Sequence, residues 1–129
     1  MRSPAVNWCR SFSGAAYRGL MGEQEPLKVV EAARQFGEQC IDIAQSLPRS
    51  APTRLRGQLA EAGQAVGDIL VEGIGRHTSA ERIHYSRMAN GSLEETQNYL
   101  RRCIRRELID KKTFFRTWNL SIVVSRMLA

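Results

Sequence analysis

The chain has little of what staples a small fold from outside or anchors it in a membrane. Three cysteines, Cys9, Cys40 and Cys103, are odd in number and unclustered, so neither a disulfide framework nor a zinc knuckle is expected. Proline is scarce, at four residues. No apolar run approaches the roughly eighteen residues a membrane span needs, and no secretory apolar core is present. The two histidines, His77 and His84, have no nucleophile or partner at motif spacing, which removes the usual triads. Acid is missing altogether from residues 1–22, where Arg2, Arg10 and Arg18 stand alone.

What is present suits one helical domain. A chain of 129 residues is long enough for a single core and too short for two. The net charge of +6 is unevenly spread, since residues 23–129 hold sixteen Lys and Arg against thirteen Asp and Glu. Residues 1–22 lack helical periodicity and read as a disordered extension or an over-long reading frame, with Met21 the alternative start. Their Arg- and Ser-bearing composition also fits a transit peptide. Residues 23–129 form the folded unit. Cys40 and Cys103 fall at apolar helix positions and read as small core residues of a reducing, cytoplasmic compartment.

Four stretches carry the spacing of a bundle-facing helix. Over residues 26–47 the stripe is Val29, Ala33, Phe36, Cys40, Ile43 and Leu47; Pro26 suits the first turn and Pro48 stops the helix. Over residues 53–71 it is Leu55, Leu59, Ala62, Val66, Ile69 and Gly73, and over residues 80–106 Ala89, Leu93, Thr96, Leu100 and Cys103. The fourth, over residues 111–128, is predicted to turn Phe115, Trp118, Ile122 and Met127 inward. Short connections place sequential helices antiparallel. The expected fold is all-α, an up-down-up-down antiparallel four-helix bundle. Gly57, Gly63 and Gly67 make the second helix weak in isolation, or allow a close approach by the third helix or another subunit.

The connection between the second and third helices is the most legible segment. Thr78 and Glu81 form a capping box, the hydroxyl accepting from the Glu81 amide and the carboxylate reaching back to the Thr78 amide. Gly73 and Gly75 allow the left-handed conformation that ends a helix. A turn centred near Arg76 places Glu95 level with Gly57. Glu95 is expected to be half-buried and to bond Gln58, Arg56 or Arg54, fixing the register of the two helices.

Catalytic chemistry finds no support. Glu81-Arg82-Ile83-His84 is one Glu-x-x-His, whereas carboxylate-bridged metal bundles use two; no metal site, cofactor or enzymatic activity is expected. Cations gather instead. Arg101, Arg102, Arg105 and Arg106 make two ridges at a spacing of four, Lys111 and Lys112 open the next helix, and the topology brings Arg49, Arg54 and Arg56 to the same end. Nine cations there face Glu107 and Asp110. Cations at a helix C-terminus complement its dipole, but Lys111 and Lys112 sit at an N-terminus, where the dipole disfavours them. That end reads as a binding surface for RNA or DNA backbone, with a solvated basic face as the bland reading. No base-reading motif is present.

The segment Glu72, Gly73, Gly75, Arg76, Glu81, Tyr85, Ala89, Gly91, Ser92, Leu93 and Glu95 resembles the four-helix-bundle proteins encoded in bacterial rRNA intervening sequences. The accessory variability proteins of diversity-generating retroelements are distant relatives of that group. Leu55, Gln58, Leu59 and Val66 upstream, and Leu108-Ile109-Asp110 with Phe114 downstream, extend the likeness over residues 27–128. It departs at Ala60 and Glu61, where a basic pair is expected, and at Ile69, so the resemblance by itself does not imply the family's nucleic-acid surface on the second helix. The resemblance implies a ring-shaped homopentamer. It also opens a second reading, an adaptor whose partner is another protein such as a reverse transcriptase.

Overall fold

The computed structural model describes residues 25–128, which fold into α1 (Glu25–Ser46), α2 (Thr53–Ile74), α3 (Ser79–Arg105) and α4 (Lys111–Leu128). The expectations for residues 1–22 lie outside the described residues. The helices pack around a square, α1 on α2, α2 on α3, α3 on α4 and α4 back on α1. Contacts across them show that neighbours run antiparallel. Gly37 meets Gly63 while Arg34 meets Gly67, and Gly73 meets Tyr85 while Gly63 meets Thr96. The up-down-up-down bundle follows.

The stripes of α1 and α3 are buried throughout, and that of α2 is buried except Ile69, which is half-buried. Phe36, Ile43, Leu59, Leu70, Leu93 and Leu100 are the large fully buried side chains, each contributing about 1.5–3 kcal/mol by leaving water. Burial, with Cys103 beside it, pushes the Cys40 thiol up to about 12, so it stays protonated and inert. No described helix is long and apolar enough to cross a membrane.

The fourth stripe is shifted by one position. Phe114, Thr117, Ser121 and Val124 are the buried residues of α4, while Phe115 is 53% exposed and Trp118, Ile122 and Met127 are half-buried. Hydrogen bonding explains the inversion. Thr117 donates to Gln39 Oε1 of α1 at 2.9 Å, and Gln97 of α3 donates to Ser121 Oγ at 2.8 Å. These small hydroxyls are satisfied inside the bundle, and a count of apolar residues misses them.

The glycines serve packing more than turning. A Cβ on Gly63 would stand 2.5 Å from Cys40 Cβ, and one on Gly73 2.6 Å from Tyr85 Cβ. The close approach of Gly63 and Gly67 is thus to α1, not chiefly to α3, and Gly57 meets nothing within 4 Å. Nor is the α2 terminus left-handed. Gly75 has φ −76° and ψ −2°, its N–H donating to Glu72 O and that of Arg76 to Gly73 O. The left-handed residue among those described is Glu107, with φ 57°. It closes α3 in a Schellman motif, with Leu108 N–H donating to Cys103 O and Glu107 N–H to Ile104 O.

The capping box forms by half. Glu81 N–H donates to Thr78 Oγ1 at 3.2 Å, whereas the exposed Glu81 carboxylate makes no bond to Thr78 among the described residues. Glu95 departs further from expectation. It is exposed and accepts from Tyr99 of its own helix at 2.7 Å. Because Thr96 packs at Gly63, Glu95 stands level with Gly63 rather than Gly57. The α2–α3 register is set by Gly73 against Tyr85, and Glu95 has no share in it.

Candidate nucleic-acid interface

The cationic end is built by two connections. Arg56 looks free in the sequence, but its guanidinium is consumed by the end of α1: Nη1 donates to Ala44 O and Leu47 O at 3.0 and 3.1 Å, and Nη2 to Pro48 O at 3.2 Å. Ala44 O belongs to the last turn of α1, where carbonyls lack an intrahelical partner, and Leu47 O and Pro48 O follow its end. Arg56 therefore leaves the set of phosphate contacts and joins the scaffold. Arg49 and Arg54 are exposed, and Arg54 lies near enough to Tyr99 to bear on its ionisation.

On α3 the ridges stand as expected, with Arg101, Arg102, Arg105 and Arg106 all exposed. Asn98, Arg101, Arg102 and Arg105 line an open recess of about 310 Å³. Two of its arginines are braced by rings. The Arg101 guanidinium lies 4.7 Å from the Trp118 centroid, its Nη1 donating to Asn98 Oδ1 at 2.9 Å, and Arg102 lies 5.6 Å from the Tyr99 centroid. Stacking leaves most guanidinium N–H groups aimed outward. The bond from Tyr99 to Glu95 pushes the phenol up, reinforced by burial and the carboxylate charge and opposed by Arg102 and Arg54. Tyr99 stays a neutral donor.

The α3–α4 connection explains how Lys111 and Lys112 can sit at a helix N-terminus. Asp110 caps α4, accepting from Thr113 N–H at 2.7 Å. Hydrogen bonding by Thr113, then the charges of Lys112 and Arg116, holds its carboxyl below the usual carboxylate range. The cap was not anticipated, although Asp-x-x-Thr is a legible signal. Arg116, one turn from Lys112, is another exposed cation that the ridge count missed. From Lys111 to Leu128, α4 carries four cations and no acid.

The residues of the α2–α3 connection lie at the other end. Arg76 donates to Glu72 Oε1 at 3.1 Å and to the Tyr85 hydroxyl, with its guanidinium 4.7 Å from the Tyr85 centroid. Arg82 is buried and donates to His77 O at 3.2 Å, leaving its Nε and Nη1 without partners. Glu81 and His84 are both exposed, and His84 packs its ring edge-on to Tyr85.

Comparison with known proteins agrees with this architecture. The fold is similar to a crystal structure of a protein of unknown function from the S23 ribosomal protein family of Bacteroides thetaiotaomicron, with TM-score 0.73 and 20% identity. The match covers 78% of this chain and 94% of that one. Among proteins of curated function, none matches. The model of the 23S rRNA-intervening sequence protein family matches residues 25–129, the whole of the described bundle. The chain belongs to that family.

Proposed function

We propose that this bundle is a non-enzymatic protein that holds RNA or DNA backbone at its cationic end. The supporting observation is the outward recess of Arg101, Arg102 and Arg105, flanked by Arg106, Lys111, Lys112 and Arg116, with Arg49 and Arg54 arriving from the other connection. Nothing in helix stability calls for Lys111 and Lys112 where they stand. Neither do the exposed arginines form a salt bridge with any described residue. The protein acts as a homo-oligomer, a ring of five in line with the resemblance, so that each subunit repeats the patch and weak sites add by avidity.

Phosphate contacts release counterions, so affinity falls with salt at a log–log slope near 0.7 per contact on single strands. Replacing Arg101, Arg102, Arg105 and Arg106 by Gln is expected to lower that slope by about 3 while circular dichroism stays unchanged. Equal binding by parent and quadruple variant refutes the proposal, as does a parent that shows no salt-sensitive binding.

Met88 and Val123, 43% and 42% exposed, favour a second reading, an adaptor that docks a protein such as a reverse transcriptase. A pull-down from native lysate separates the two: protein retained after nuclease treatment supports the adaptor.

A further inference from the structure

We propose that the nucleic acid taken by the cationic end is single-stranded, with Phe115 as the platform on which an unpaired base stacks. The inference rests on the reading above and adds the class of ligand. Phe115 is 53% exposed on a helix whose neighbouring inward position, Phe114, is buried. A single exposed apolar ring is ordinary on a protein surface, but the surroundings of this one are not.

The ring is held from beneath. Phe114 meets it edge-to-face at 5.2 Å and is itself stacked on Trp118 at 5.4 Å, and Trp118 carries the Arg101 guanidinium at 4.7 Å. A chain of ring contacts therefore links Phe115, through buried Phe114 and half-buried Trp118, to the arginine recess. Lys111 and Lys112 precede Phe115 by four and three residues, which puts them beside it on the helix surface, and Arg116 follows directly. An aromatic face amid cations is the combination that binds single strands, where phosphates follow the charges and splayed bases stack. Duplex bases are already stacked on one another and offer Phe115 no face.

A two-fold dimer through this surface fits poorly. Pairing the patch with itself would bring Lys111, Lys112 and Arg116 against their own equivalents, and α4 holds no acid to offset them.

The test uses the full chain at low salt, with a labelled oligouridylate and an RNA duplex of equal length, read by fluorescence anisotropy. Phe115→Leu keeps apolar bulk and every charge. It is expected to lose roughly 5- to 150-fold in affinity for the single strand, with duplex affinity and salt slope unchanged. Phe115→Trp is expected to retain single-strand binding and to lose indole fluorescence as the oligonucleotide is added, which keeps the question open to refutation should the leucine variant fold poorly. The inference is overturned if Phe115→Leu binds the single strand like the parent or loses both ligands alike. It is overturned too if that variant sediments as a smaller species, since Phe115 then belongs to a subunit interface. In those cases salt-sensitive duplex binding leaves the wider reading standing. Absence of all binding by the parent removes both.

Discussion

The two ends of the bundle hold their arginines in opposite ways. Where α2 meets α3, Arg76 is spent on Glu72 and Tyr85, and Arg82 is drawn inside against the His77 carbonyl. Where α3 meets α4, Arg101, Arg102, Arg105 and Arg106 all face solvent, and their bonds reach no farther than their own helix or a supporting ring. Charge count alone does not tell which cations are free to meet a ligand; occupancy of the donors does. Arg56 shows this best, because it stands at the outward end yet is occupied by three carbonyls at and just beyond the end of α1.

The inward end should break first under added bulk. A methyl at Gly73 falls 2.6 Å from Tyr85 Cβ, which carries the ring that Arg76 uses. Gly73→Ala is expected to cost about 2–3 kcal/mol, in the range for overpacking, measured by denaturant unfolding. Two residues on, the methyl of Gly75→Ala meets only Glu72 O at 3.6 Å in an ordinary helical conformation. That variant should change stability by no more than about 1 kcal/mol and in the favourable direction. Equal losses at both positions would mean that conformation, not packing, makes these glycines matter.

Arg56 and Arg102 sharpen the same contrast at a single end. Arg56→Gln removes charge-assisted bonds to the carbonyls that end α1 and open its connection to α2, and should cost about 2 kcal/mol, with the salt slope of binding unaltered. Arg102→Gln should leave unfolding within about 0.5 kcal/mol and lower the slope by about 0.7. Crossed results, with Arg56 affecting binding or Arg102 stability, would erase the division.

Legibility in the sequence follows the same line. The stripes of α1, α2 and α3 could be read because their inward residues are apolar and periodic. The stripe of α4 could not, because Thr117 and Ser121 are buried through bonds to Gln39 and Gln97, far off in the chain. Thr78 declared its cap locally. Glu95 was misplaced because α2 runs on to Ile74 and packs on α3 through Gly73, facts of length and contact that a turn centre cannot supply. At the basic end, charge and topology together identified the cluster. They could not tell that Arg56 is occupied, nor that Phe115 points out.

A smaller effect tests whether acids at the basic end serve the fold. Glu107 holds a left-handed conformation at φ 57°, which costs an L-residue about 1–2 kcal/mol and glycine little. Set against the greater chain freedom of glycine when unfolded, Glu107→Gly should stabilise by about 0.5–1 kcal/mol. Removing an acid beside the recess should also tighten nucleic-acid binding slightly. A destabilised variant would show that the carboxylate, not the backbone, matters there.

The smallest effect concerns Asp110, where cap and charge can be separated. Its carboxyl titrates below the ordinary range because Thr113 hydrogen-bonds the ionised form, with Lys112 and Arg116 adding attraction. A depressed folded-state pKa means the group favours the folded state above its unfolded pKa of about 3.9, and that contribution fades as pH falls through the lower folded value. Asparagine also caps helices well but does not titrate. Asp110→Asn should therefore melt slightly below the parent at neutral pH, and the gap should close as pH is lowered from about 5 toward 3. The residue is exposed, so added salt should narrow the gap at neutral pH as well. The same change removes a negative charge from the cationic end and should strengthen nucleic-acid binding at low salt. A gap that persists in acid would locate the role of Asp110 in cap geometry alone, leaving the charges of this end to the ligand.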